Sequence, residues 1–297
     1  MLALSACSAP TAHQTEARAH PTIVSLNPCS DAVLAEIAGP EQLLGISSYS
    51  HSAASSSMDL TLARRFASVS GSVEEIAALS PDVVVAGTML SPATVSALDR
   101  LGIRLVQLPI ASDVDASLAQ VRQLAALAGQ PQRGEAMAAR IEAALAKAAP
   151  AGKAVPVEAI VWQSGGIVAG DDTLIADILR RTGFINGAAA RGLGQAQYLP
   201  LERMLAEPPQ VIFETGDARS DEDRLLAHPA LASLQNTKRA HLDPSLLWCG
   251  GPTIVRAAQR LGAVRVAVRQ GASTGSGRAE LGEKTPLTLS LSKGARP

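Results

Sequence analysis

Two stretches of the chain, Ser72–Ala86 and Pro200–Glu214, align without a gap. Each reads as a helix followed by a proline and a short buried strand. Glu74 falls on Glu202, Pro81 on Pro209, and Val83-Val84-Val85 on Val211-Ile212-Phe213. The order of helix then strand is generic, but the matched glutamates and prolines go beyond it. The chain therefore contains two topologically related lobes.

The pattern around each copy agrees. In the first half, strands at Thr22–Leu26, Leu43–Ile46, Asp82–Ala86 and Arg104–Leu108 alternate with helices at Ser30–Ala38, Ser72–Leu79 and Pro92–Leu101. Helices between strands imply a parallel sheet wound on both faces. Two helices with almost no strand signal follow, at 113–128 and 132–149, and the second carries Met137, Ile141 and Leu145 as one stripe. Alternation then restarts with a strand at Val157–Trp162, helices at Thr173–Thr182 and Leu201–Ala206, and a strand at Gln210–Glu214. A helical stretch at Leu225–Leu234, a strand at Ala240–Leu242 and a helix at Pro252–Val268 complete it. The expected fold is α/β, two doubly wound lobes joined by one long helix. Its parts are a leader remnant and tether (1–20), an N-terminal lobe (21–130), a bridging helix (131–152), a C-terminal lobe (153–270) and a disordered tail (271–297).

Composition narrows the function. Of 297 residues, 47% are hydrophobic and 18% charged, with 26 basic and 27 acidic side chains. A net charge of −1 excludes a protein that works by neutralising a run of phosphates, and no polybasic membrane surface is present. Aromatic residues make up only 2%, so those that fall on loops invite a functional question. Leu4-Ser5-Ala6-Cys7 fits the processing site of a bacterial lipoprotein, which makes Cys7 a lipidation candidate and places the recorded start inside a signal peptide. The competing explanation is a chance match in an alanine-rich chain.

Several familiar patterns fail in context. Gly271-Ala-Ser-Thr-Gly275 has the spacing of a hydrolase elbow, but no strand precedes it. Gly192-Leu-Gly194 lacks the third glycine of a dinucleotide fingerprint. No phosphate-binding lysine loop and no HExxH pair occur.

Loops at the carboxyl ends of strands are where open α/β sheets bind ligands. Here they carry Asn27-Pro28-Cys29-Ser30 with Asp31, then Tyr49 with His51, then Gly87-Thr88-Met89 in the first lobe. The second lobe offers Trp162-Gln163-Ser164-Gly165-Gly166 and Leu247-Trp248-Cys249-Gly250-Gly251. Tyr49, Trp162 and Trp248 thus join a histidine and two cysteines on the predicted ligand side. For each alone, packing inside its own lobe is an equal reading. Cys29 and Cys249 would face each other from opposite lobes, as a disulfide, as soft metal ligands, or as small side chains at tight turns. His51 is the one histidine suited to a ligand site, too few for a bare ion, so a preassembled metal complex fits better.

The order "TIVSLNPCSDAVL", "LLGIS", "SVEEIAALSPDVVVAG", "LGIRLVQLP", a long helix, "GGIVAGDDTLIADILRRTGFIN", "LPLERMLAEPPQVIF" and "HPALASL" resembles the periplasmic substrate-binding proteins of ABC importers for cobalamin and ferric siderophores. The resemblance covers about residues 21–265. It implies two doubly wound lobes bridged by a long rigid helix with the ligand cleft between the lobes, and a monomeric, non-enzymatic periplasmic receptor that delivers a metal chelate, cobalamin or a ferric siderophore, to a permease homodimer with its ATPase subunits. No resident cofactor, metal site or nucleic-acid partner is implied, and membrane contact comes only through a lipid anchor. The ligand-binding residues it suggests are Cys29, Tyr49, His51, Met89, Trp162, Gly165, Arg191, Trp248 and Cys249. Arg191 would serve a hydroxamate siderophore, Tyr49 and His51 a haem, and the aromatic residues a corrinoid. The resemblance also gives Glu74 and Glu202 a role, one on the tip of each lobe, pairing with permease arginines; the competing explanation is a carboxylate favoured by a helix N-terminus. "NPC" and "WCGGP" are not the commonest forms at these turns. A bare-metal receptor of the same fold, or an α/β thiol or metal oxidoreductase built on Cys29 and Cys249, are the alternatives.

Overall fold

The computed structural model describes residues 20–152, 154–216 and 223–279. Cys7, the tether and the residues from 280 onward lie outside the described residues. In chain order the elements are β1 (Ile23–Ser25), α1 (Pro28–Ile37), β2 (Leu43–Ser47), α2 (Leu60–Ala63), β3 (Ala67–Val69), α3 (Val73–Leu79), β4 (Val83–Gly87), α4 (Pro92–Arg100) and β5 (Arg104–Leu108). Next come α5 (Val114–Leu127), α6 (Pro131–Ala148), β6 (Val157–Gln163), β7 (Ile167–Val168), α7 (Leu174–Arg181), β8 (Phe184–Asn186), α8 (Gly187–Ala190) and β9 (Gln197–Tyr198). The chain closes with α9 (Leu201–Ala206), β10 (Val211–Thr215), α10 (Pro229–Ala232), β11 (Lys238–His241) and α11 (Thr253–Ala279).

The chain divides into two compact units. One comprises the residues up to Ile110 with Val121–Glu135, the other Ala111–Gln120 with the residues from Ala136 on. Both α5 and α6 therefore pass from one unit to the other.

In the first unit the sheet order is β3-β2-β1-β4-β5, and every pairing is parallel. Sequence chemistry sets where its helices start. The Asn27 side chain accepts from the Cys29 amide at 2.8 Å, and Pro28 occupies the first turn of α1, where its missing N–H costs nothing. At α3 the Ser72 hydroxyl accepts from the Glu75 amide, and the Glu75 carboxylate reaches back to the amide and hydroxyl of Ser70. Those bonds hold the exposed Glu75 carboxyl below the usual carboxylate range. Val24, Val69, Ile76, Val84 and Leu98 meet as one buried cluster between sheet and helices.

The second unit repeats the plan. Its sheet order is β11-β10-β6-β7-β9, with β8 on β6. The aligned stretches occupy equivalent places: α3 runs into β4 and α9 into β10. Val83 pairs with Ile23 of β1, and Val211, its counterpart, pairs with Ala159 of β6. The internal repeat is thus a repeat of strand position as well as of helix and strand.

This unit departs from the expectation in four places. Its sheet is mixed, because β7 runs antiparallel to β6, and β9 antiparallel to β7; strands of two residues carry no periodicity to read. The helical stretch at Leu225–Leu234 is mostly turns around the short α10, and the last strand starts at Lys238. The backbone also stays helical past residue 270, to Ala279, where a disordered tail was expected from 271. Gly271–Gly275 therefore lies within a helix, which is not the strand-to-helix turn that a hydrolase elbow needs.

The close approach of the segments after β7 and before β9 depends on a missing side chain. A Cβ on Gly170 would lie 2.4 Å from the carbonyl carbon of Gly194, with backbone on both sides of the contact. Gly170→Ala is expected to cost about 1–3 kcal/mol, because a backbone segment must move to admit it. The urea midpoint should fall; a midpoint equal to that of the wild type would contradict the close approach.

Candidate functional site

In both units the chain leaves each sheet at its carboxyl edge through short, capped turns. After β2 comes a 3-10 turn, Ser48–His51, opened by the Ser47 hydroxyl accepting from the Tyr49 amide at 3.2 Å. Tyr49, on this turn, is 63% exposed. His51 is partly covered, and its Nε2 is buried with no hydrogen-bond partner among the described residues. Met89, beyond β4, is almost fully exposed.

In the second unit β6 ends in the turn Ser164–Gly166, where Gly165 and Gly166 have φ of 69° and 81°, backbone that favours glycine. Gly165 is exposed. Against Gly166 lies the ring of Tyr198: a Cβ on the glycine would sit 2.6 Å from Cε2 of the tyrosine. Tyr198 is 54% exposed. After β11 the chain reaches Trp248, 64% exposed, and then Cys249, which is buried. Ser117 of α5 supports this loop, its hydroxyl accepting from the Gly251 amide at 2.8 Å.

Four of the proposed ligand contacts take another role. Trp162 is fully buried, packed with Ile160, Val168, Leu199, Met204 and Ile212 in the core of its unit. The reason is register: β6 continues to Gln163, so Trp162 shares the inward face with Ile160 instead of opening the loop. Arg191 spends its guanidinium inside the unit, donating to the Glu158 carboxylate and to the carbonyls of Gly187 and Glu207. Its side chain is 7% exposed, and no donor is turned outward for a hydroxamate. Cys29 and Cys249 are both disulfide-bonded, so neither supplies a thiolate to a soft metal or a thiol to an oxidoreductase. Among the described residues no three His, Cys, Asp or Glu side chains gather as a metal site, and no helix is long and apolar enough to cross a membrane.

Tyr198 escaped the sequence reading; the scarcity of aromatics pointed at it, but without β9 it had no place. Asp31 was named on its loop, but its burial was not foreseen. It is fully buried in the first turn of α1, and burial pushes its carboxyl up to about 7, opposed in part by hydrogen bonds from Ser25, Ser50, Ser47 and Asn27. Glu74 and Glu202 stand exposed in the first turns of α3 and α9, at matching positions of the repeat.

The family model described as periplasmic binding protein matches residues 23–246. No curated protein sequence matches. Among solved structures, the chain is similar to the periplasmic haem-binding protein RhuT of Roseiflexus sp. RS-1, in apo form. The TM-score is 0.65 at 24% identity, over 85% of this chain and 99% of that one. It is similar to the periplasmic haem-binding protein HutB of Vibrio cholerae, with a TM-score of 0.66 at 20% identity, over 82% and 98% of the two chains. The vitamin B12 binding protein BtuF of Vibrio cholerae gives 0.63 at 18% identity, over 84% and 97%. Such identities establish a shared fold. With a family match over most of its length, the chain belongs to the periplasmic binding proteins, solute receptors of ABC importers and not enzymes.

Proposed function

We propose that this receptor captures an intact tetrapyrrole metal chelate, a corrinoid of the cobalamin type, and delivers it to an inner-membrane permease. The observation that carries the reading is the set of exposed aromatic side chains, Tyr49 and Trp248 on turns after strands and Tyr198 on the short strand β9. In a chain with 2% aromatic residues, leaving three of them in water costs burial energy unless a ligand covers them. Flat rings stack well on a large macrocycle. A corrinoid, bound largely through apolar and aromatic contact, suits these side chains. Haem remains the second reading, supported by Tyr49 and by the unpartnered His51 Nε2, groups that ligate iron in haem sites. A hydroxamate siderophore loses its main support with Arg191.

The same reading makes Glu74 and Glu202 the permease contacts and Cys7 the lipid-anchored residue of a tethered receptor. Titrating the purified chain with cyanocobalamin, haemin and ferrichrome while following Trp248 emission tests the ligand. One-to-one quenching by cyanocobalamin is the expected result; quenching by ferrichrome alone would overturn the reading.

A further inference from the structure

The first turn of α1 needs no carboxylate, since Asn27 and Pro28 already satisfy it. Asp31 nevertheless lies there, fully buried, with no cationic partner among the described residues. Its bonds leave the helix. Oδ2 accepts from the Ser47 amide at 3.0 Å and from the Ser50 hydroxyl at 2.6 Å. Around it the Ser25 and Ser30 hydroxyls share a hydrogen bond of 2.8 Å, and Ser30 donates to the Asn27 carbonyl at 3.0 Å. The two anchor points flank Tyr49 in sequence, one before it and one after.

We infer that Asp31 is a positioning residue for ligand capture, clamping the Ser47–Ser50 turn on both sides of Tyr49 so that the ring is presented in one place. The inference rests on the receptor reading above. It goes further by making the clamp proton-linked. Other titratable or charged groups on the surrounding elements are Tyr49 and His51 on the turn itself, Glu36 on α1, and Asp59 and Arg64 at the two ends of α2; Cys29 is disulfide-bonded, and β1, β2, β3 and β4 contribute none.

The sign follows from linkage. With the turn closed, the carboxyl titrates near 7; opened to water, it returns toward 3.8. The closed state therefore holds a proton that the open state releases, and closure weakens as pH rises. Between pH 6 and pH 8 the population of the open turn is expected to grow about tenfold.

Hydrogen exchange on the ligand-free full chain, corrected for intrinsic rates, tests this at both pH values in the wild type, Asp31→Asn and Ser50→Ala. In the wild type, protection of the amides at 47–51 should fall about tenfold from pH 6 to pH 8, with the amides of β4 unchanged. Asp31→Asn should abolish the pH response, and Ser50→Ala should lower protection of the turn at both pH values. A pH response that persists in Asp31→Asn, or β4 losing protection in step with the turn, overturns the clamp. Cyanocobalamin affinity should show the same pH dependence in the wild type and lose it in Asp31→Asn. If neither cyanocobalamin nor haemin binds the wild type, the receptor reading fails, and the exchange result still decides on Asp31.

Discussion

Replacing Trp162 by alanine is expected to destabilise the chain by about 3–5 kcal/mol, whereas Trp248→Ala should change stability by less than about 0.5 kcal/mol. The contrast comes from burial. Trp162 is fully enclosed beneath β6 among Ile160, Val168, Leu199, Met204 and Ile212, so truncation leaves a large cavity between rigid elements that cannot collapse to fill it. Trp248 is 64% exposed, so its truncation empties no cavity in the core. Urea unfolding followed by circular dichroism measures both. Equal losses for the two variants would contradict the assignment of one tryptophan to the core and the other to the surface. The same pair explains why Trp248 is the useful optical reporter: its emission should lie further to the red and respond to an added chelate, while Trp162 reports on folding.

Reversing the charge at Glu74 and Glu202 should leave the fold and the ligand affinity intact and remove coupling to the permease. Both carboxylates are exposed, each in the first turn of its helix, at positions that the internal repeat superimposes. One charge per lobe, presented twice, matches a two-fold permease. Close charge pairs across an interface carry coupling energies of about 1.5–7 kcal/mol, so one reversal should weaken docking by tenfold or more and Glu74→Arg/Glu202→Arg should abolish it. A role limited to the helix dipole would instead cost about 0.3–1 kcal/mol of stability and nothing in docking. Stimulation of the transporter's ATPase in proteoliposomes separates the two; full stimulation by the double variant would sink the docking assignment.

Much of the fold was legible because its signals are periodic or repeated. The stretches from Ser72 and Pro200 announced two related lobes, and their strands take equivalent places in the two sheets. The helix expected from Thr173 is α7, whose start is capped by Thr173 accepting from the Ala176 amide. The illegible parts are those set by tertiary register. One further residue of β6 turns Trp162 from a loop residue into a core residue. Two strands of two residues each place Tyr198 beside Gly166, and nothing local distinguishes Gln197-Tyr198 from a loop. Arg191 was read by its charge alone; its partners Glu158 and Glu207 lie far along the chain and became visible only in three dimensions. Asp31 was seen as a helix-start acid, and its burial depends on the turn after β2 folding over it.

The central claim, capture of a corrinoid by exposed aromatic side chains, is tested most directly by isothermal titration of cyanocobalamin into the wild type and into Tyr49→Ala/Tyr198→Ala/Trp248→Ala. The account predicts one-to-one binding by the wild type and, from about 1 kcal/mol or more lost per ring, an affinity at least 100-fold weaker in the triple variant, whose urea midpoint stays unchanged. Equal affinity in the two proteins would contradict it.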